Sequence, residues 1–243
     1  MDRAAAVGVG QVVTIADGLA SAKWVTTAVE ADDRVYGAVA VHPTRANALT
    51  DEARAELERL AAHPRVVAVG ETGSDLYWPG KLDGCATPAE QRESFAWHID
   101  LAKRTGKPLM IHNRDADAAV LDVLHAEGAP QTVIFHCFSS GPEMARSCVE
   151  AGWVLSLSGT VSFRNARDLH EAARLIPEGQ LLVETDAPFL TPHPFRGAPN
   201  EPYCLPYTVR ALAELLGRPA QDVANETAAT AARVYGLDES CRF

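Results

Sequence analysis

Six side chains able to hold a metal ion or move a proton stand at the carboxyl ends of short apolar runs. They are His42 after Val39-Ala40-Val41, Glu71 after residues 66–70, His112 after Leu109-Met110-Ile111, His136 after Val133-Ile134-Phe135, and Glu184 and Asp186 after Leu181-Leu182-Val183. Imidazole and carboxylate together form a ligand set for manganese, zinc or iron that does not exclude magnesium. Each residue alone has a plainer reading, as a satisfied core histidine, a helix cap or half of an ion pair. Jointly the plainer reading weakens, because several histidines and carboxylates buried around one mouth are costly unless paired or bound to a cation.

The elements that must position these groups follow from the apolar pattern. Seven strands are predicted, at Val12 to Ala16, Val35 to His42, Val66 to Gly70, Pro108 to His112, Thr132 to His136, Val154 to Ser158 and Leu181 to Glu184. They are near-continuous in aliphatic residues, as parallel strands covered on both faces require. Helical patterns lie between them. Thr87-Pro88-Ala89-Glu90 reads as a capped helix start, with Phe95, Ile99 and Ala102 on one face and Gly106 as the stop. Ser140 to Glu143 repeats the capping pattern, with Gly152 ending that helix. Strands alternating with helices imply right-handed βαβ crossovers, in a closed barrel or an open sheet. No Gly-x-Gly-x-x-Gly follows the first strand, which weakens the dinucleotide-binding open sheet. Polar groups at the carboxyl ends of strands are where barrel enzymes place their chemistry.

Length and composition fit that picture. The 243 residues suit one hydrolase barrel domain spanning 1–243, with 47 % hydrophobic and 22 % charged residues and no run long enough to cross a bilayer. A net charge of −10 argues against a surface that clings to nucleic acid throughout, so any phosphate contact is local. Five cysteines, from Cys85 to Cys241, lack Cys-x-x-Cys spacing and read as reduced thiols; with no leader pattern, cytoplasm is the default. His63, His98, His125, His170 and His193 read as surface or packing residues, Glu30 to Asp33 as a solvated helix end, and Trp24 as packed on the sheet.

Gly70-Glu71-Thr72-Gly73 with Asp75, Ile111-His112-Asn113-Arg114-Asp115-Ala116, Phe135-His136-Cys137-Phe138-Ser139, Glu184-Thr185-Asp186-Ala187-Pro188-Phe189-Leu190, and Arg196-Gly197 with Asn200-Glu201-Pro202 occur in series. Together they closely resemble the TatD family of metal-dependent deoxyribonucleases, over nearly the whole chain. The resemblance implies a TIM-type (β/α) barrel with one or two divalent cations (Mg, Mn or Zn) that hydrolyses DNA phosphodiester bonds at single-stranded ends. By motif, Glu71 bridges the cations, His112 and His136 complete the first site, and Asp186 serves the second and accepts a proton from the attacking water. His42 contacts the scissile phosphate or positions water, and Arg114 is a candidate phosphate clamp. No membrane and no protein partner is implied.

The family's first strand ends in His-x-His, and no such pair occurs here. The reading is therefore a barrel missing its first strand, with exposed strand edges, a weak second metal site and impaired turnover. Ser74 stands where the family carries an apolar residue. Two rival readings remain: an amidohydrolase-type enzyme acting on a small substrate, although no strand ends in a lysine that could bridge metals, and an inactive truncated barrel acting as a binding protein.

Overall fold

The computed structural model describes residues 1–237. Along the chain it contains helix α1 (Asp2–Ala5), strand β1 (Val12–Ile15), α2 (Leu19–Ala31), β2 (Val35–Val39), α3 (Asp51–Ala61), β3 (Val66–Asp75), α4 (Pro88–Thr105), β4 (Leu109–Arg114), α5 (Asp117–Glu127), β5 (Val133–Phe135), α6 (Pro142–Glu150), β6 (Val154–Leu157), α7 (Arg167–Ala173), β7 (Leu181–Val183), α8 (Leu205–Leu216) and α9 (Ala220–Tyr235). All seven predicted strands are present. The chain forms two compact units: Val12–His136, and Met1–Gln11 together with the chain from Cys137.

In the unit Val12–His136, β1 to β5 pair in sequence order and all in parallel. Their side chains supply a core that includes Val39, Val69, Leu109, Ile111, Ile134 and Phe135, each at most 1 % exposed. Burial of both strand faces explains why these runs read as continuous rather than alternating. Helix α4 begins as its sequence predicts: Thr87 accepts the Glu90 amide, Glu90 accepts the Thr87 amide, and Gly106 closes the helix in the left-handed region at φ 68°.

The pairing of β3 with β4 departs from expectation in a way that matters for the site. Both strands run further than predicted, to Asp75 and Arg114, with Gly73 opposite His112 and Asp75 opposite Arg114. Glu71, expected just beyond its strand, and His112, expected as the last residue of its own, therefore lie inside strands. The register slips between Val69–Leu109 and Thr72–Ile111, so Gly70 and Glu71 together face Met110. Such a bulge re-aims a side chain relative to a regular ladder. Glycine is required here twice, since a Cβ on Gly70 would collide with Met110, and one on Gly73, at φ 134°, with the His112 carbonyl oxygen.

In the other unit, β6 and β7 pair in parallel, Leu155 opposite Leu181 and Leu157 opposite Val183. Helix α6 does not start on Ser140; its cap is Gly141, which has no side chain to offer, so the predicted capping pattern is displaced by one residue. Trp24 is also corrected. It is 62 % exposed, because α2 buries Ala22, Val25 and Val29 and turns the indole away from the β2 side. Cys85, Cys137, Cys148 and Cys204 form no disulfide among the described residues, and Cys241 lies outside them. No described helix is long and apolar enough to cross a membrane.

Candidate metal centre

Parallel strands deliver their last side chains to one edge, and four of the residues singled out above meet there. His42 follows β2, Glu71 sits on the bulge of β3, His112 on β4, and His136 follows β5. Glu71 Oε2 lies 3.5 Å from His112 Nδ1 and 3.4 Å from His136 Nε2, and His42 Nε2 is 3.3 Å from His112 Nδ1. The Glu71 oxygen is buried yet makes no hydrogen bond. Ligand atoms arranged tetrahedrally around a zinc-like cation at bond lengths of about 2.0–2.1 Å are themselves about 3.4 Å apart. The two Glu71 distances and its unsatisfied oxygen are thus compatible with a shared cation, as is the grouping of His42, Glu71 and His112, whose ligand atoms lie within 4.8 Å of one another.

A second layer fixes the ring orientations. Asp75, buried beside the centre, places Oδ2 3.0 Å from His112 Nε2, while its Oδ1 accepts the amides of Tyr77 (3.0 Å) and Trp78 (3.1 Å). The His112 proton is therefore assigned to Nε2, leaving the Nδ1 lone pair turned to Glu71; a carboxylate behind a ligating imidazole is the usual support for a metal site. The Thr44 amide donates to His42 Nδ1 at 3.2 Å, which assigns the His42 proton to Nε2 and aims an N–H into the centre.

Helix α4 holds this layer in place from one face. Gln91 accepts the Asp75 amide at 2.8 Å and donates to the Asp75 carbonyl at 3.0 Å. Two turns on, His98 donates Nδ1–H to the Ser94 carbonyl at 2.7 Å and accepts the Val41 amide on Nε2 at 3.2 Å, pinning the backbone one residue before His42. Gln91 and His98 are almost fully buried. In the sequence, Asp75 stands in the motif without a role of its own, no motif distinguishes Gln91, and His98 reads as a surface or packing residue. Polar side chains at helical spacing on the face that carries Phe95 are the sequence signal for them.

Electrostatics polarise the centre. Burial alone would raise the Glu71 carboxyl, but the charge of His136 and contact with His112 outweigh it and bring it down to about 2. Burial would lower His112, yet its hydrogen bond to Asp75 and the nearby Glu71 carboxylate prevail and raise it. Asp75 is held low by the same His112 contact and its two amides, against the effect of burial. His42 falls to about 4, through burial first and repulsion from His112 second. Glu71 and Asp75 are thus held as carboxylates, and His42 is held neutral.

Of the remaining site residues, Arg114 belongs to the same unit as this cluster, and Glu184 and Asp186 belong to the other unit. Arg114 is not among the ligand candidates; its guanidinium carbon sits 4.1 Å from the Tyr77 ring centre and 5.4 Å from that of Trp78. Glu184 and Asp186 follow β7 in the other unit, Asp186 in the left-handed region at φ 56°, which aspartate tolerates better than most residues. Asn200, 3 % exposed, donates to the carbonyls of Thr185 and Phe189, both at 2.6 Å, and so fixes the loop that carries Asp186. Ser74 is buried opposite Asn113.

Comparison with known proteins places this geometry. The family described as TatD related DNase matches residues 1–236. An uncharacterized metal-dependent hydrolase TatD of Mycobacterium tuberculosis is 74 % identical over 98 % of this chain and 90 % of its own length. YabD of Bacillus subtilis, another uncharacterized metal-dependent hydrolase, is 40 % identical over 86 % of this chain and 81 % of its own. A protein named 3'-5' ssDNA/RNA exonuclease TatD from Erwinia tasmaniensis is 32 % identical over 94 % and 88 %. The crystal structure of YJJV, a TatD homologue from Escherichia coli, superposes with a TM-score of 0.88 at 26 % identity, covering 98 % of this chain and 90 % of that one. The fold is α/β, of the TIM-type (β/α) class of these TatD relatives, and the chain belongs to the TatD family of metal-dependent hydrolases.

Proposed function

We propose that the chain hydrolyses phosphodiester bonds of DNA, with a divalent cation held by Glu71, His112 and His136. The observation that carries this reading is the buried Glu71 oxygen, without a hydrogen bond and 3.4 to 3.5 Å from two ring nitrogens. The exonuclease name of the Erwinia relative supports nucleic acid as the substrate class. When bound, a divalent cation supplies a lowered water pKa and polarisation of a phosphoryl oxygen. Glu71 and the paired imidazoles provide the anionic pocket, and Asp75 keeps the His112 Nδ1 lone pair turned inward. His42, neutral and with its N–H assigned to Nε2, can donate to a non-bridging phosphate oxygen without adding charge. For Asp186 the role of proton acceptor rests on the motif alone.

The test is cleavage of a labelled single-stranded oligonucleotide with magnesium or manganese. Activity should vanish with chelator and in His112→Ala. Cleavage that survives either change overturns the metal mechanism.

A further inference from the structure

Beyond Asp75 the chain leaves β3 into a loop, residues 76–84, that presents a group of side chains no part of the metal centre uses. The Tyr77 and Trp78 rings meet edge to face, with centroids 4.9 Å apart. Lys81 Nζ lies 3.6 Å from the Tyr77 ring centre and the Arg114 guanidinium 4.1 Å from it. Among the described residues neither cation has a carboxylate within ion-pair distance. Two uncompensated positive charges gathered on one aromatic ring are unfavourable for each other and suited to an anion. In a chain of net charge −10 this is a local exception rather than a general basic surface. Packing does not account for the aromatics, since both rings are only half-buried and their neighbours Leu76 and Leu82 are 39 % and 46 % exposed.

Aromatic faces interleaved with cations are how proteins hold unpaired nucleotides, the base stacking on the ring and the backbone phosphate meeting the charge. The loop is also fixed to the centre, because the carboxylate that supports His112 accepts the Tyr77 and Trp78 amides. We propose that Trp78, with Lys81 and Arg114 gathered by Tyr77, forms a subsite for a nucleotide next to the bond being hydrolysed, stacking one unpaired base on Trp78 and seating a phosphate on the two cations. This rests on the nuclease reading and deepens it, since a base held in a duplex has no free face to offer and the substrate must be single-stranded at this point.

The experiment is fluorescence anisotropy with a labelled short oligothymidylate, in chelator so that nothing is cut. Trp78→Ala should weaken binding about 10-fold, the order of what one stacked base contributes, and Trp78→Phe should retain most of it. An abasic strand should cost the wild type a similar factor and cost Trp78→Ala nothing further, since the two changes remove the same contact. Lys81→Ala should weaken both strands alike and flatten the salt dependence. Binding by Trp78→Ala within twofold of the wild type, with an unchanged melting temperature, overturns the subsite; so does a wild type that holds the abasic strand equally well. Cleavage with manganese separates the two readings. Trp78-dependent binding without cleavage removes the nuclease and leaves the subsite, whereas chelator-sensitive cleavage indifferent to Trp78 does the reverse.

Discussion

Asp75 Oδ2 lies 3.0 Å from His112 Nε2, on the side of the imidazole away from Glu71. Asp75→Asn keeps the shape but can set an amide N–H against the His112 N–H, favouring the other tautomer and withdrawing the Nδ1 lone pair. Metal affinity should fall about 10- to 100-fold, the usual cost of losing such a support. Calorimetric titration with zinc or manganese checks it; an unchanged affinity would remove Asp75 from the site.

Metal should stabilise the fold in proportion to its binding. At a free concentration about 100 times the dissociation constant, the gain is about 2.7 kcal/mol, read as a rise in melting temperature that chelator reverses. Glu71→Gln should lose the rise while still melting cooperatively. A variant that keeps the full rise would show that Glu71 is no ligand.

Stability should drop in mild acid. His98 is completely buried and burial holds it neutral, with its pKa down to about 4 from 6.5. Between those values the unfolded chain binds a proton that the folded chain refuses, so stability is present above pH 6.5 and is lost as pH falls toward 4. From pH 7 to 5 His98 alone should cost about 2 kcal/mol, measured by urea unfolding. His98→Gln should flatten that slope, and a slope unchanged by it would refute the assignment.

Two glycine substitutions should differ. At Gly106 a Cβ meets nothing within 4 Å, and alanine pays only for the left-handed backbone, about 1 kcal/mol. At Gly73 the same change drives the methyl against the His112 carbonyl oxygen at φ 134°, so Gly73→Ala should lose more stability and most metal binding. Equal melting temperatures for the two variants would contradict the close approach of β3 to β4.

The sequence made the strands and four members of the centre legible for one physical reason: parallel strands must be apolar throughout, so a histidine or glutamate at the end of such a run stands out. His42, Glu71, His112 and His136 were found that way. The supports were not, because their meaning depends on partners far along the chain. His98 acquires its role from an amide at Val41 and Gln91 from the backbone of Asp75, and helical spacing alone says only that both face inward. Trp24 failed in the opposite sense: its apolar character suggested burial, but the small and branched residues of α2 hold the inner face. The bulge at Gly70 and Glu71 was also invisible, since a strand's register depends on its neighbour's sequence as much as its own.

The divided carboxylate of Asp75 has a thermodynamic corollary. One oxygen serves a ring of the metal centre and the other the backbone of the loop that carries Trp78, so the two regions share an acceptor through which each can bias the other. Linkage is reciprocal. If occupancy at the loop tightens cation binding by some factor, the cation tightens occupancy at the loop by the same factor, and indole fluorescence becomes a reporter of events at His112.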